Sequence, residues 1–176
     1  MGRLLEAEFP AIVWTPCASH CIDLLMEDVA KLGWVKRIVQ QATSIVNFFL
    51  LKLKVLAMFR EHSRLDLKKP SATRFASMWQ VLERLYEVRP ALRQTVVSTM
   101  WNEWDEHVTE EAKAMQRFCL EERFWTRVRA IVIAMTPFYR LLRMTDCERS
   151  TMGLLVHFFR AALVELEACT NITNDE

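Results

Sequence analysis

The sequence predicts a mainly helical chain with one short strand near its N-terminus, and three observations carry that expectation. Only three glycines, at positions 2, 33 and 153, occur in 176 residues, too few for the turns, bulges and phosphate loops of sheet-rich or doubly wound folds. Apolar residues recur at three- and four-residue steps through most of the chain, as in helices with one buried face. One short apolar run, Phe9 to Trp14, instead contains the β-branched pair Ile12 and Val13 and reads as a strand.

Thr15 and Pro16 come directly after that strand. Proline fits the first turn of a helix and threonine caps one, so the strand is expected to run straight into a helix. That helix carries Cys17, Cys21, Leu24, Leu25 and Val29, with Gly33 placed as a left-handed stop. A second helical pattern runs from Trp34 to Arg60 on Val35, Ile38, Val39, Ala42, Ile45, Val46 and Phe49, then Leu53, Leu56, Ala57 and Phe59. Its length predicts a break near Phe49 to Leu51.

Ser63 to Ala72 is the most polar connection, and Pro70 biases Lys69 toward extended backbone, so a loop or a short strand is expected. Phe75, Met78, Trp79, Leu82, Leu85 and Tyr86 form the next helical face, and Pro90 either kinks it or opens the following helix. Trp101, Trp104, His107 and Val108 keep helical spacing inside an acidic region. Phe124 to Leu142 outlines a long helix expected to be interrupted at Pro137, and a last helix runs through Leu154 to Leu166. The tail from Thr170 onward is expected to fray.

The charge is nearly balanced, 23 Lys and Arg against 22 Asp and Glu, which excludes a uniformly basic coat or an acidic disordered tail. Any electrostatic function must be local. No glycine-rich phosphate cradle exists. Five cysteines, an odd number, and an N-terminus without signal-peptide character point to a reducing intracellular compartment. The stretch from Gln40 to Leu51 is too short to span a bilayer, so no membrane is expected.

Cys17, Ala18, Ser19, His20 and Cys21 form the densest chemical cluster. A zinc site needs about four ligands, usually as two spaced pairs, and the other histidines, at 62, 107 and 157, stand singly. No metal or cofactor is expected, and both cysteines read as small core residues. Between Lys52 and Arg74 there are seven Lys or Arg against Glu61 and Asp66, whereas Glu103 to Glu111 holds five acids and no Lys or Arg. The basic stretch suits phosphate contact, and the alternative is a solvated loop. Trp79, Trp101, Trp104 and Trp125 sit at helical spacing and read as packing residues, although an exposed one could stack on a base. No set of carboxylates focuses on a common point, so no catalytic residue is assigned.

The segment Ile12 to Leu25, with Cys17 and His20 as its C-x-x-H, resembles the corresponding segment of hAT superfamily transposases, the cut-and-paste group that includes hobo and Activator. About fifty residues on, Ser71-Ala72-Thr73-Arg74-Phe75-Ala76-Ser77 looks like that family's T-R-W segment. Trp34-Val35-Lys36, Phe124-Trp125 and Met152-Gly153 are similar to plant transposon-derived members. The resemblance covers roughly Ile12 to Leu166.

It implies that residues 1–16 are the residual strand of an RNase H-like core, that 17–169 are a helical insertion-domain fragment, and that 170–176 are a tail. The family's two catalytic aspartates precede that strand and its glutamate lies beyond the insertion, so the resemblance implies a catalytically incomplete fragment that is not an enzyme. By carry-over Cys17, His20, Thr73, Arg74 and Phe75 take the motif positions, Phe75 replacing the usual Trp with a smaller ring. His20, Lys68, Lys69, Arg74 and Phe75 are the candidate DNA contacts. The implied location is nuclear, and the implied partners are DNA, a second copy, or a full-length transposase-like protein. A helical protein-binding module and a truncated product without function are the alternatives.

Overall fold

The computed structural model describes residues 2–11, 13–69, 75–146 and 152–170. Its helices are α1 (Gly2–Glu8), α2 (Ala18–Ala30), α3 (Gly33–Leu51), α4 (Leu53–His62), α5 (Phe75–Glu87), α6 (Arg89–Val97), α7 (Thr99–Asn102), α8 (Glu110–Leu120), α9 (Glu122–Thr145) and α10 (Met152–Thr170), with a 3-10 turn at Asp105–Val108. The expected mainly helical class is what the chain adopts.

Helix α9 is the hub, packing against α2, α3, α5 and α10. Its buried face, Phe124, Val128, Ile131, Met135, Phe138 and Leu142, keeps the three- and four-residue step visible in the sequence. Helix α3 joins this group to a second one made of α4, α6, α7 and α8. There Phe48, Phe49, Phe59, Trp101 and Trp104 interlock, with ring centroids 5.5 to 6.5 Å apart. Each such ring buried contributes roughly 1.5–3 kcal/mol relative to exposure. Trp79, Trp101, Trp104 and Trp125 are all buried, as their spacing predicts.

The break expected within the second helical pattern falls at Lys52. Its extended backbone (φ −97°, ψ 101°) turns α4 by 101° from α3. Pro90 lies in the first turn of α6, where its missing N–H costs nothing. Ser98 and Thr109 cap α7 and α8, each hydroxyl accepting from a backbone N–H three residues on. No single helix among the described residues is long and apolar enough to cross a membrane.

Four local expectations are overturned. No strand occurs among the described residues, so the RNase H-like strand remnant at Phe9 to Trp14 is not present there. A strand needs a neighbouring strand to take its backbone groups. Here the Trp14 N–H donates instead to Glu6 Oε1 at 2.8 Å, and Phe9, Val13 and Trp14 are exposed. Ile12 lies outside the described residues.

Helix α2 begins at Ala18, not at Pro16, and Cys17 rather than Thr15 is its cap. Gly33 opens α3 instead of closing α2, and no described residue has positive φ. The turn between them is made by extended Leu32, φ −57° and ψ 128°. Finally, α9 runs unbroken through Pro137. The ring is buried beside α10, and packing along both halves of α9 holds a helix that proline alone would interrupt.

Candidate nucleic-acid interface

Cys17, His20 and Cys21 stand at the start of α2 with all three side chains exposed, which corrects the reading of the cysteines as core. The Cys17 carbonyl accepts from the Cys21 N–H at 3.0 Å. Between them the Ser19 hydroxyl donates to Thr145 Oγ1 at 3.0 Å, and the Thr145 hydroxyl in turn donates to the Leu142 carbonyl at 2.9 Å. The start of α2 is thereby pinned to the end of α9. Among the described residues no three His, Cys, Asp or Glu side chains converge where a metal could sit. Cys119 is a core residue: burial pushes its thiol up to about 12, against the opposing pull of Arg93.

The basic stretch divides into engaged and free members. Lys52 Nζ donates to Glu106 Oε2 at 2.7 Å, stands 3.6 Å from Glu111 Oε2, and lies over the rings of Phe48 and Trp104. The hydrogen bond to Glu106 raises its pKa above the usual lysine value. Basic and acidic stretches therefore meet within the fold. Arg60 pairs with Asp66 at 3.0 Å, and Arg84 donates to the Asp66 carbonyl at 2.8 Å. With Leu67 buried beneath, these bonds fasten the first half of the connection between α4 and α5.

Next along that connection come Lys68, half-buried, and Lys69, exposed; neither forms an ion pair with a described residue, nor do Lys54 and Arg64. Thr73 and Arg74 lie outside the described residues, and Phe75 opens α5. His20 stands in the first turn of α2, and Lys68 and Lys69 on the connection between α4 and α5.

Charge-counting over a contiguous window missed a second basic feature. Helix α9 carries Arg123, Arg127, Arg129, Arg140 and Arg143 against one acid, Glu122. That acid is taken by Arg93 at 2.5 Å and Arg89 at 3.7 Å, and the Arg93 hydrogen bond holds its carboxyl below the usual range. None of the five arginines pairs with a described residue. A third feature is apolar: α2 and α10 bound an open groove of about 630 Å³ lined by Cys21, Ile22, Leu25, Leu155, Phe159 and Leu163, among others.

Residues 1–45 match the model of a domain of unknown function, DUF659. The matched part takes in α1, α2 and the first two-thirds of α3, including Cys17 and His20. No curated protein and no solved structure matches the chain. Over these 45 residues the chain is similar to a domain found in hAT-like and plant transposon-derived proteins.

Proposed function

We propose that this chain is a helical module of a hAT-like, transposon-derived protein, that it contacts DNA, and that it cuts none. The observation that carries the reading is the coincidence of the DUF659 match with the Cys17 and His20 segment, which stands out on its residues alone. Lys68 and Lys69 support the DNA contact, because cations free of carboxylate partners can release counterions from phosphates. Lys52 and Arg60, already held by acids, are assigned to stability instead. On this reading Arg74 and Phe75 extend the contact beyond Lys69, His20 belongs to the exposed motif, and the protein works in the nucleus.

Fluorescence anisotropy with a 20-base-pair duplex tests it. Wild-type protein should bind with salt-dependent affinity, and changing Lys68, Lys69 and Arg74 to Ala should weaken binding about tenfold or more and flatten the salt dependence. Salt-independent binding, or none, contradicts the reading. Nicking of DNA with Mg²⁺ or Mn²⁺, abolished by mutating an acid of this chain, contradicts its catalytic part.

The α2/α10 groove supports a second reading, a module that binds an apolar helix of another protein. Leu25 of α2 and Val156 and Leu163 of α10 line it and are exposed, and exposed apolar surface of this kind marks interaction sites. Salt-insensitive association without DNA binding would favour that alternative.

A further inference from the structure

We propose that the exposed face of α9 is a duplex-DNA backbone surface, with Arg129, Arg140 and Arg143 as its phosphate contacts. This surface rests on the DNA-contact reading above and moves its main electrostatic footprint to a face with no motif. Along α9 the residues Arg129, Ile133, Thr136, Arg140 and Arg143 are spaced by four, three, four and three, so they form one stripe. Arg129, Ile133, Arg140 and Arg143 are exposed and Thr136 is half-buried.

The neighbours leave this stripe open. On one flank α5 is fastened to α9 where Trp79 Nε1 donates to the Val132 carbonyl at 3.2 Å and the Trp79 ring stacks on Tyr139 at 4.0 Å. On the other, α10 covers Pro137, Leu141 and Met144. Glu165 of α10 and Arg140 line the same small cavity, of about 290 Å³, yet form no ion pair. The whole chain has a net charge of only +1, while α9 alone carries five arginines and one glutamate. The remainder is therefore net negative, and none of the five α9 arginines forms an ion pair with a described residue.

Charge complementarity selects a polyanion, and geometry selects a duplex. At ~1.5 Å rise per residue, Arg129 and Arg140 are about 16 Å apart along the helix and Arg143 about 5 Å further. A major groove about 12 Å wide has phosphates on both walls, so guanidinium groups at the two ends of the stripe can each reach one wall. Single strands are held instead on exposed aromatic platforms. The α9 rings are unavailable for that: Phe124, Trp125 and Phe138 are buried, and Tyr139 is stacked on Trp79.

The test compares salt slopes of duplex binding for the full chain and its variants. Changing Arg129, Arg140 and Arg143 together to Ala should lower affinity at least tenfold near 0.1 M salt and flatten the slope by two to three, at about 0.9 for each phosphate no longer neutralised. The triple Arg→Lys variant should keep most of the slope, and a Lys36→Ala, Arg37→Ala control on exposed α3 positions should match wild type. Circular dichroism melting confirms that each variant folds. An unchanged slope for the triple Ala variant, with a flattened one for Lys68→Ala, Lys69→Ala, overturns this surface and leaves the DNA reading standing. No salt-dependent binding by wild type overturns both. Tighter binding of single strands, or loss of self-association rather than of DNA binding in the triple Ala variant, also overturns it.

Discussion

Lys52 and Glu106, 54 positions apart in the chain, are joined by a 2.7 Å hydrogen bond at the elbow between α3 and α4. The bond brings the basic stretch and the acidic stretch together, and it separates charges that hold the fold from charges left for a partner. Lys52 is engaged within the fold: its head also faces Glu111 and lies over Phe48 and Trp104.

Changing Lys52 to Ala should therefore lower the melting temperature while leaving the salt slope of DNA binding unchanged. Because the folded pKa is raised, this stabilisation is fully present below the unfolded lysine pKa and is lost as pH rises through the folded value. Melting curves from about pH 8 into the lysine titration range should show wild type and Lys52→Ala converging at the alkaline end. A flattened DNA slope in this variant would place Lys52 at the interface instead.

Two buried tryptophans should respond differently to loss of the indole N–H. Trp125 Nε1 donates to the Cys119 carbonyl at 2.8 Å, whereas Trp101 Nε1 is buried with no hydrogen-bond partner among the described residues. Trp125→Phe should destabilise by about 1 kcal/mol more than Trp101→Phe, the net value of one hydrogen bond. Trp101→Ala should cost roughly 3–5 kcal/mol, because it opens a cavity among Phe48, Phe49 and Trp104. Urea titration checks both, and equal losses for the two Phe variants would contradict the bonding pattern.

Thiol chemistry should divide the cysteines. Cys17 and Cys21 are exposed and should be alkylated by iodoacetamide in the native protein at about pH 8, whereas Cys119 is buried and should react only after unfolding. With its thiol raised to about 12, Cys119 contributes stability that is present below the unfolded cysteine pKa. That contribution falls as pH rises from there toward the folded value, because the unfolded thiol ionises first. Mass-spectrometric mapping of the labelled sites checks the division, and native labelling of Cys119 would contradict its placement.

Proline in a helix interior costs about 3 kcal/mol against alanine. Pro137→Ala restores the backbone donor to the Ile133 carbonyl and gives up some packing against α10. A net gain of about 1–2 kcal/mol is expected from that balance, read as a higher melting temperature. A loss of stability would show that the ring's packing outweighs the restored bond.

The helices were legible where local periodicity and burial agree: Ile38, Ala42, Ile45 and Phe49 name the inner face of α3, and the length of the second pattern foretold the elbow at Lys52. The readings that failed needed information from distant residues. Ile12 and Val13 favour a strand locally, but a strand requires a partner strand. Pro137 signals a break locally, yet helices packed on both halves of α9 override it. Lys52 and Glu106 announce their charges but not their pairing, because they lie 54 positions apart. Arg129, Arg140 and Arg143 were visible at helical steps, but they are spread too far along the chain for a local charge count to register.

The salt dependence of duplex binding by the intact chain tests the central claim most directly. The expected result is that the logarithm of the association constant falls linearly with the logarithm of salt concentration. The slope should correspond to about four or more phosphate contacts at about 0.9 each, and substitutions at Lys68, Lys69, Arg129, Arg140 and Arg143 should flatten it. A slope near zero, or no binding at about 50 mM salt, would contradict it.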